Sequence, residues 1–124
     1  MPNAHTGLRA SEELMERVDT VTKKLQGDDE LQALTKVTRA SVIRLALVVG
    51  IKQFEEKNNL REVPPKLDSN SKHYGFSSPQ WLLERAESVA RQGRSWTRAG
   101  VMRAAISQGL EILNERYKTK QQTE

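Results

Sequence analysis

The sequence predicts a mainly helical fold in which two β-α-α units share one core. A short alternating pattern occurs twice: His5-Thr6-Gly7-Leu8-Arg9 returns as His73-Tyr74-Gly75-Phe76-Ser77. A longer one, Thr38-Arg39-Ala40-Ser41-Val42-Ile43-Arg44, returns as Thr97-Arg98-Ala99-Gly100-Val101-Met102-Arg103, and identities continue at Ala46/Ala105 and Gly50/Gly109. Each copy reads as one extended segment followed by two helices. Neither is long enough to bury a core alone, so the two are expected to fold against each other.

The first extended segment, Asn3 to Arg9, turns Thr6 and Leu8 one way and His5, Gly7 and Arg9 the other. It is short and polar, and needs a pairing partner to hold as a strand. Ser11 is the expected N-cap of the next helix, with Glu12 and Glu13 where the helix dipole favours acids. Leu14, Val18, Val21 and Leu25 form its apolar stripe, and Gly27 with Asp28 and Asp29 ends it. Glu30 to Thr35 reads as a loop or an extra short helical turn. Thr38 caps the second helix, whose run from Val42 to Phe54 is apolar almost all round and calls for burial on more than one face. Gly50 costs that helix about 1 kcal/mol relative to alanine, and a close helix–helix approach would explain it.

The first unit thus spans residues 1–59. Residues 60–72 read as a linker, because Pro64-Pro65 bars a regular helix and Asp68-Ser69-Asn70-Ser71 is rich in turn formers. The second unit spans 73–117. Ser78 is expected to cap its first helix with Pro79 at the first helical position. Leu82, Ala86 and Val89 continue the stripe until Gln92-Gly93, and Thr97 caps the last helix. Trp96, like Val37, sits just before its N-cap, where an apolar residue staples the helix entry; Trp81 is expected to be partly buried. Residues 118–124 read as a flexible tail.

The 124 residues contain no cysteine, which excludes disulfides and thiolate metal sites. No apolar run approaches the roughly 20 residues of a membrane span, and Met1 to Arg9 is too polar for a signal peptide, so a cytoplasmic setting is expected. The net charge of +4 is uneven. Residues 1–62 carry 10 basic and 10 acidic side chains, and residues 63–124 carry 10 and 6. A basic balance permits nucleic-acid binding without establishing it. With two histidines, no Gly-rich phosphate loop and no suggestive carboxylate pair, neither enzymatic activity nor a cofactor is expected.

A short strand, a helix and a second helix opening Thr-Arg-Ala-x-Val-x-Arg resembles the ribbon-helix-helix family of MetJ, Arc and CopG type. Two copies in one chain are similar to the tandem TraY proteins of plasmid transfer. The resemblance covers nearly all of the chain outside the linker and tail. It implies that the two strands pair as an antiparallel ribbon, making one pseudo-twofold domain whose ribbon enters the DNA major groove. The outward, base-contacting set would be His5, Gly7, Arg9, His73, Gly75 and Ser77; the inward set would be Thr6, Leu8, Tyr74 and Phe76. Pseudo-symmetry would place Gly7 opposite Gly75, His5 opposite Ser77 and Arg9 opposite His73. The family also anchors phosphates on the N-terminus of its second helix, which here matches Lys36, Thr38 and Arg39 in one copy and Ser95, Thr97 and Arg98 in the other.

Arg9 is the strongest base reader of the set, because a guanidinium can hold guanine O6 and N7 together. Gly7 and Gly75 depart from the family pattern, whose central ribbon position often bears a polar side chain. His5 and His73 could contact bases or phosphates; zinc is not expected, since no third ligand repeats nearby. Arg44 and Arg103 are expected to pair with acids such as Glu16 or Glu84, and Arg91 and Arg94 either extend the phosphate patch or stay solvated. The implied function is sequence-specific binding of double-stranded DNA as a transcriptional repressor, or as a relaxosome accessory factor at a plasmid transfer origin, with room for self-association on adjacent sites. An antitoxin role ranks lower, because only a few polar residues follow the last helix to wrap a toxin partner. A helical interaction module that never meets DNA is the reading from a different class.

Overall fold

The computed structural model describes residues 3–34, 36–57, 71–93 and 96–122, with backbone only at 3–5, 57 and 117–122. The described elements are β1 (Asn3–Ala10), α1 (Glu12–Gln26), α2 (Asp29–Leu34), α3 (Arg39–Lys57), β2 (Lys72–Pro79), α4 (Gln80–Gln92) and α5 (Arg98–Gln122). The fold is mainly helical, with β1 and β2 paired in one two-stranded antiparallel sheet.

Local chemistry sets the helix ends. The Leu14 amide donates to Ser11 Oγ at 3.1 Å, Glu12 and Glu13 occupy the first turn of α1, and Lys23 and Lys24 its last. The Gly27 amide closes that helix on the carbonyls of Lys23 and Lys24. The stripe expected of α1 is buried, joined by Met15 and Thr22. Each buried position from Leu14 to Thr22 has a buried counterpart in α4, from Leu82 to Ala90.

The long helices α3 and α5 form the centre. Val42, Ile43, Ala46, Leu47, Ile51 and Phe54 are buried on α3, and Val101, Met102, Ala105, Ile106, Leu110 and Leu113 on α5. The apolar run of α3 does meet neighbours on several sides, packing on α5, α1, α4 and β2, but Leu45 is 43% exposed. Where α3 and α5 cross, their backbones touch. A Cβ built on Gly50 would lie 1.9 Å from the Ala105 carbonyl oxygen, and one on Gly109 would lie 1.9 Å from that of Ala46. These two reciprocal contacts account for glycine in the middle of each helix, where it costs backbone entropy.

Several expectations are corrected. Ser78 does not cap α4: the strand stays extended through Asn3↔Pro79, so Ser78 remains inside it, fully buried, with its hydroxyl donating to the Pro79 carbonyl at 3.2 Å. Pro79 itself takes the N-cap position, with φ −57° and no side-chain hydrogen bond, and α4 begins one residue later than expected. For Glu30 to Thr35 the helical one of the two readings holds: α2 is a six-residue helix with no buried residue, and Thr35 lies outside the described residues. The last helix continues to Gln122 instead of ending near Tyr117, through a run of good helix formers. Of the expected linker, residues 60–70 lie outside the described residues, while Lys72 already belongs to β2. Val37 and Trp96 are buried just ahead of the two N-caps, as a staple requires, and Trp81 is 41% exposed. Among the described residues no helix is long and apolar enough to cross a membrane.

Adding a methyl at the crossing must push two backbones apart. Gly50→Ala and Gly109→Ala are each expected to cost about 2–3 kcal/mol of unfolding free energy. Gly27→Ala is the control: its new carbon would meet Lys24 O at an ordinary 3.4 Å. It should instead stabilise by about 0.4–1 kcal/mol through the unfolded chain. Urea melts followed by circular dichroism measure all three.

Candidate nucleic-acid interface

Period-two alternation gives the ribbon two unlike faces. The register is His5↔Ser77, Thr6↔Phe76, Gly7↔Gly75, Leu8↔Tyr74 and Arg9↔His73. Thr6, Leu8 and Phe76 are buried against the helices and Tyr74 is half-buried. On the opposite face Gly7, Arg9, His73 and Gly75 are exposed and Ser77 is half-exposed. His5 holds the register position opposite Ser77, and its side chain is outside the described residues.

At the centre of the outer face, a Cβ on Gly7 would lie 2.0 Å from His73 Nε2. The imidazole therefore lies across Gly7, filling from a diagonal position on β2 the space a side chain on β1 would need. Glycine at this position leaves the ring room to lie there. This neighbour of Gly7 was not legible in the sequence, because it depends on a side-chain rotamer.

The N-termini of α3 and α5 carry the second set of residues. The Ser41 amide donates to Thr38 Oγ1 at 3.2 Å while the Thr38 amide donates to Ser41 Oγ at 2.8 Å, a reciprocal cap. In α5 the Gly100 amide donates to Thr97 Oγ1 at 3.0 Å, and glycine has no side chain to return the bond. Both threonine hydroxyl oxygens accept a helix-capping bond. The amides of Arg39, Ala40, Arg98 and Ala99 lie in the first turn, where a helix offers no internal acceptor. Lys36 is exposed, and Ser95 lies outside the described residues.

Each helix-opening arginine faces an acid on another helix, Arg39 on α1 and Arg98 on α4. Arg39 holds Asp19 with two bonds, Nε to Oδ1 at 2.8 Å and Nη2 to Oδ2 at 2.9 Å. Donating these hydrogen bonds to Asp19 raises the Arg39 pKa above its ordinary value. Arg98 stands 3.9 Å from Glu87, which also lies 3.9 Å from Arg91. Arg39, Asp19, Glu12, Met15, Glu16 and Tyr74 line one shallow groove, so this helix start borders the ribbon. The acids were legible as a pair, since Asp19 and Glu87 occupy matching places in α1 and α4, but their role was not anticipated. Arg94 falls outside the described residues.

Arg44 and Arg103 correct the sequence expectation most clearly. Neither is held by Glu16 or Glu84. Arg44 Nη1 donates to the Ser77 carbonyl at 3.0 Å, and Arg103 Nη1 donates to the Arg9 carbonyl at 3.2 Å. Burial, with the charge of Arg9 as the second cause, lowers the Arg103 pKa from its ordinary value. Their identical placement six residues beyond Thr38 and Thr97 was visible; their partners were not, because a backbone carbonyl has no residue-type signature.

Among the described residues no group of three histidine or acidic side chains could hold a metal ion. Comparison of the chain with family models, curated proteins and solved structures returns no match.

Because the obstacle at Gly7 is the tip of a mobile ring, Gly7→Ala should displace His73 rather than the strand. The expected cost is under about 1 kcal/mol, well below that of a clash between backbones. The His73 imidazole resonances should shift in NMR spectra while the helix resonances stay in place.

Proposed function

We propose that the chain is a sequence-specific double-stranded DNA-binding protein: a tandem ribbon-helix-helix unit whose two β-α-α halves pair about a pseudo-twofold axis and present β1 and β2 to the major groove. The observation that carries this reading is the ribbon register, which puts Gly7 opposite Gly75 at the centre and leaves Arg9 and His73 exposed on the face away from the core. A two-stranded ribbon matches a major groove about 12 Å wide, and Arg9 can offer both donors to guanine. The starts of α3 and α5 supply free amides and Arg39 and Arg98 for phosphates. Asp19 does not close the first anchor, since the Arg39–Asp19 pair is 53% and 42% exposed. Such pairs are worth about 0–1 kcal/mol, so a phosphate can replace the carboxylate.

The two ends of the ribbon differ: Arg9 with His73 at one, His5 with Ser77 at the other. The target is therefore read as two unlike half-sites. On this reading the protein is a cytoplasmic repressor that blocks an operator, with an accessory role at a plasmid transfer origin as the second setting and an antitoxin role ranked below both. It needs no cofactor and performs no catalysis, and adjacent sites leave room for self-association.

Selection from a random DNA pool followed by salt titration tests the proposal. Phosphate contacts predict affinity that falls linearly on a log–log plot against salt, by about 0.9 per phosphate neutralised. Binding to no sequence, or tight binding indifferent to salt, would reject it. Arg9→Ala should lose about 1–3 kcal/mol on the selected site and little on random DNA. Arg98→Ala should weaken both alike and reduce the salt slope by about 1.

A further inference from the structure

We propose that Arg103 and Arg44 are positioning residues that seat the two strands of the reading face. Each reaches from a long helix of one half to a strand carbonyl of the other half. The inference rests on the DNA-binding reading above and names two residues that act through the ribbon, not on the DNA.

A two-stranded ribbon is marginal by itself in water. Its outer edges carry carbonyls with no third strand to meet them. Here one carbonyl on each strand receives a charged donor from below: Arg9 O from Arg103 at 3.2 Å, and Ser77 O from Arg44 at 3.0 Å. Hydrogen bonds from charged donors are the stronger kind. Each brace sits five residues into its helix, beyond Arg98 or Arg39, a rise of about 7.5 Å. Anchor and brace therefore share one rigid rod, so a phosphate held at the start of α5 fixes the height of Arg9.

The two braces are not equivalent. Arg44 meets a serine, whereas Arg103 meets the strand position that carries Arg9. Arg103 is half-buried and feels the Arg9 charge. Like charges repel until an acceptor arrives, and guanine offers two acceptors at one edge. Arg103 thus both fixes the Arg9 backbone and leaves its side chain poised for an acceptor, and its loss should be felt in discrimination more than that of Arg44.

The test uses the full chain with Arg103→Met, Arg103→Lys and Arg44→Met, against the site selected by the unaltered protein and against random DNA. Arg103→Met keeps most of the stem and removes the donor. It should weaken the selected site about tenfold, the worth of one hydrogen bond from a charged group. On random DNA the loss should stay within about threefold, as for one missing positive charge. Arg103→Lys should recover most of the loss, and Arg44→Met should cost less discrimination than Arg103→Met. Hydrogen exchange of the β1 and β2 amides should speed up in both methionine variants while the α5 amides keep their rates. Equal losses on both DNAs, or unchanged ribbon exchange in Arg103→Met, would overturn the proposal. If the unaltered protein binds no DNA, the DNA-binding reading falls, and ribbon exchange alone then decides whether the braces hold the strands.

Discussion

The contact of α3 with α5 is made by backbone as much as by side chain. Gly50 lies against the carbonyl of Ala105, and Gly109 against that of Ala46. At this separation no side chain can stand between the helices. The apolar residues around the crossing are then forced outward in two directions, toward α1 on one side and α4 on the other. Val42, Leu47 and Ile51 on α3, with Val101, Ile106 and Leu110 on α5, fill the space this leaves. The ribbon lies over the same pair of helices, so its height and tilt follow from the distance at which they meet.

The connections across the molecule follow from that geometry. α1 is followed in sequence by α2 and α3, yet its polar side chains also fasten it to α5: Arg17 donates to the hydroxyl and carbonyl of Ser107, and Lys24 to Asn114. α4 reaches α3 through Arg85 and Glu55, with the Arg85 guanidinium also over the Trp81 ring. Each strand pairs with the strand from the other part of the chain and is fastened by an arginine from the other long helix. Neither the segment from β1 to α3 nor that from β2 to α5 retains a complete set of partners if the other is removed, so folding of the whole is expected to be a single cooperative event.

Much of this was legible in the sequence, for physical reasons. Alternation along Thr6 to Leu8 and Tyr74 to Phe76 assigned the inner face of the ribbon, because a half-buried strand must alternate. Threonines before Arg39 and Arg98 marked helix starts, because an N-cap needs a short side-chain oxygen. The glycines at 50 and 109 announced a close approach, because little else justifies them inside a helix. What escaped were features that depend on where a chain goes rather than on what it is. Ser78 looked like a cap, but strand pairing held it in extended form. Arg44 and Arg103 looked like partners for acids, but packing brought strand carbonyls nearer. Gly7 was legible as an outward ribbon position, but not the histidine two positions along the opposite strand whose ring lies across it.

That β1 and β2 belong to one polypeptide has an evolutionary consequence. In an assembly of two identical chains, every change in the gene is imposed on both edges of the shared sheet at once, and a useful change at one edge must be tolerated at the other. Here a codon is expressed at one edge only. Arg9 can stand on one strand while Ser77 stands on the other, and either can change by a single step without the other. Pairing of β1 with β2 inside one polypeptide also frees the sheet from dilution, since the encounter occurs within one molecule at any concentration.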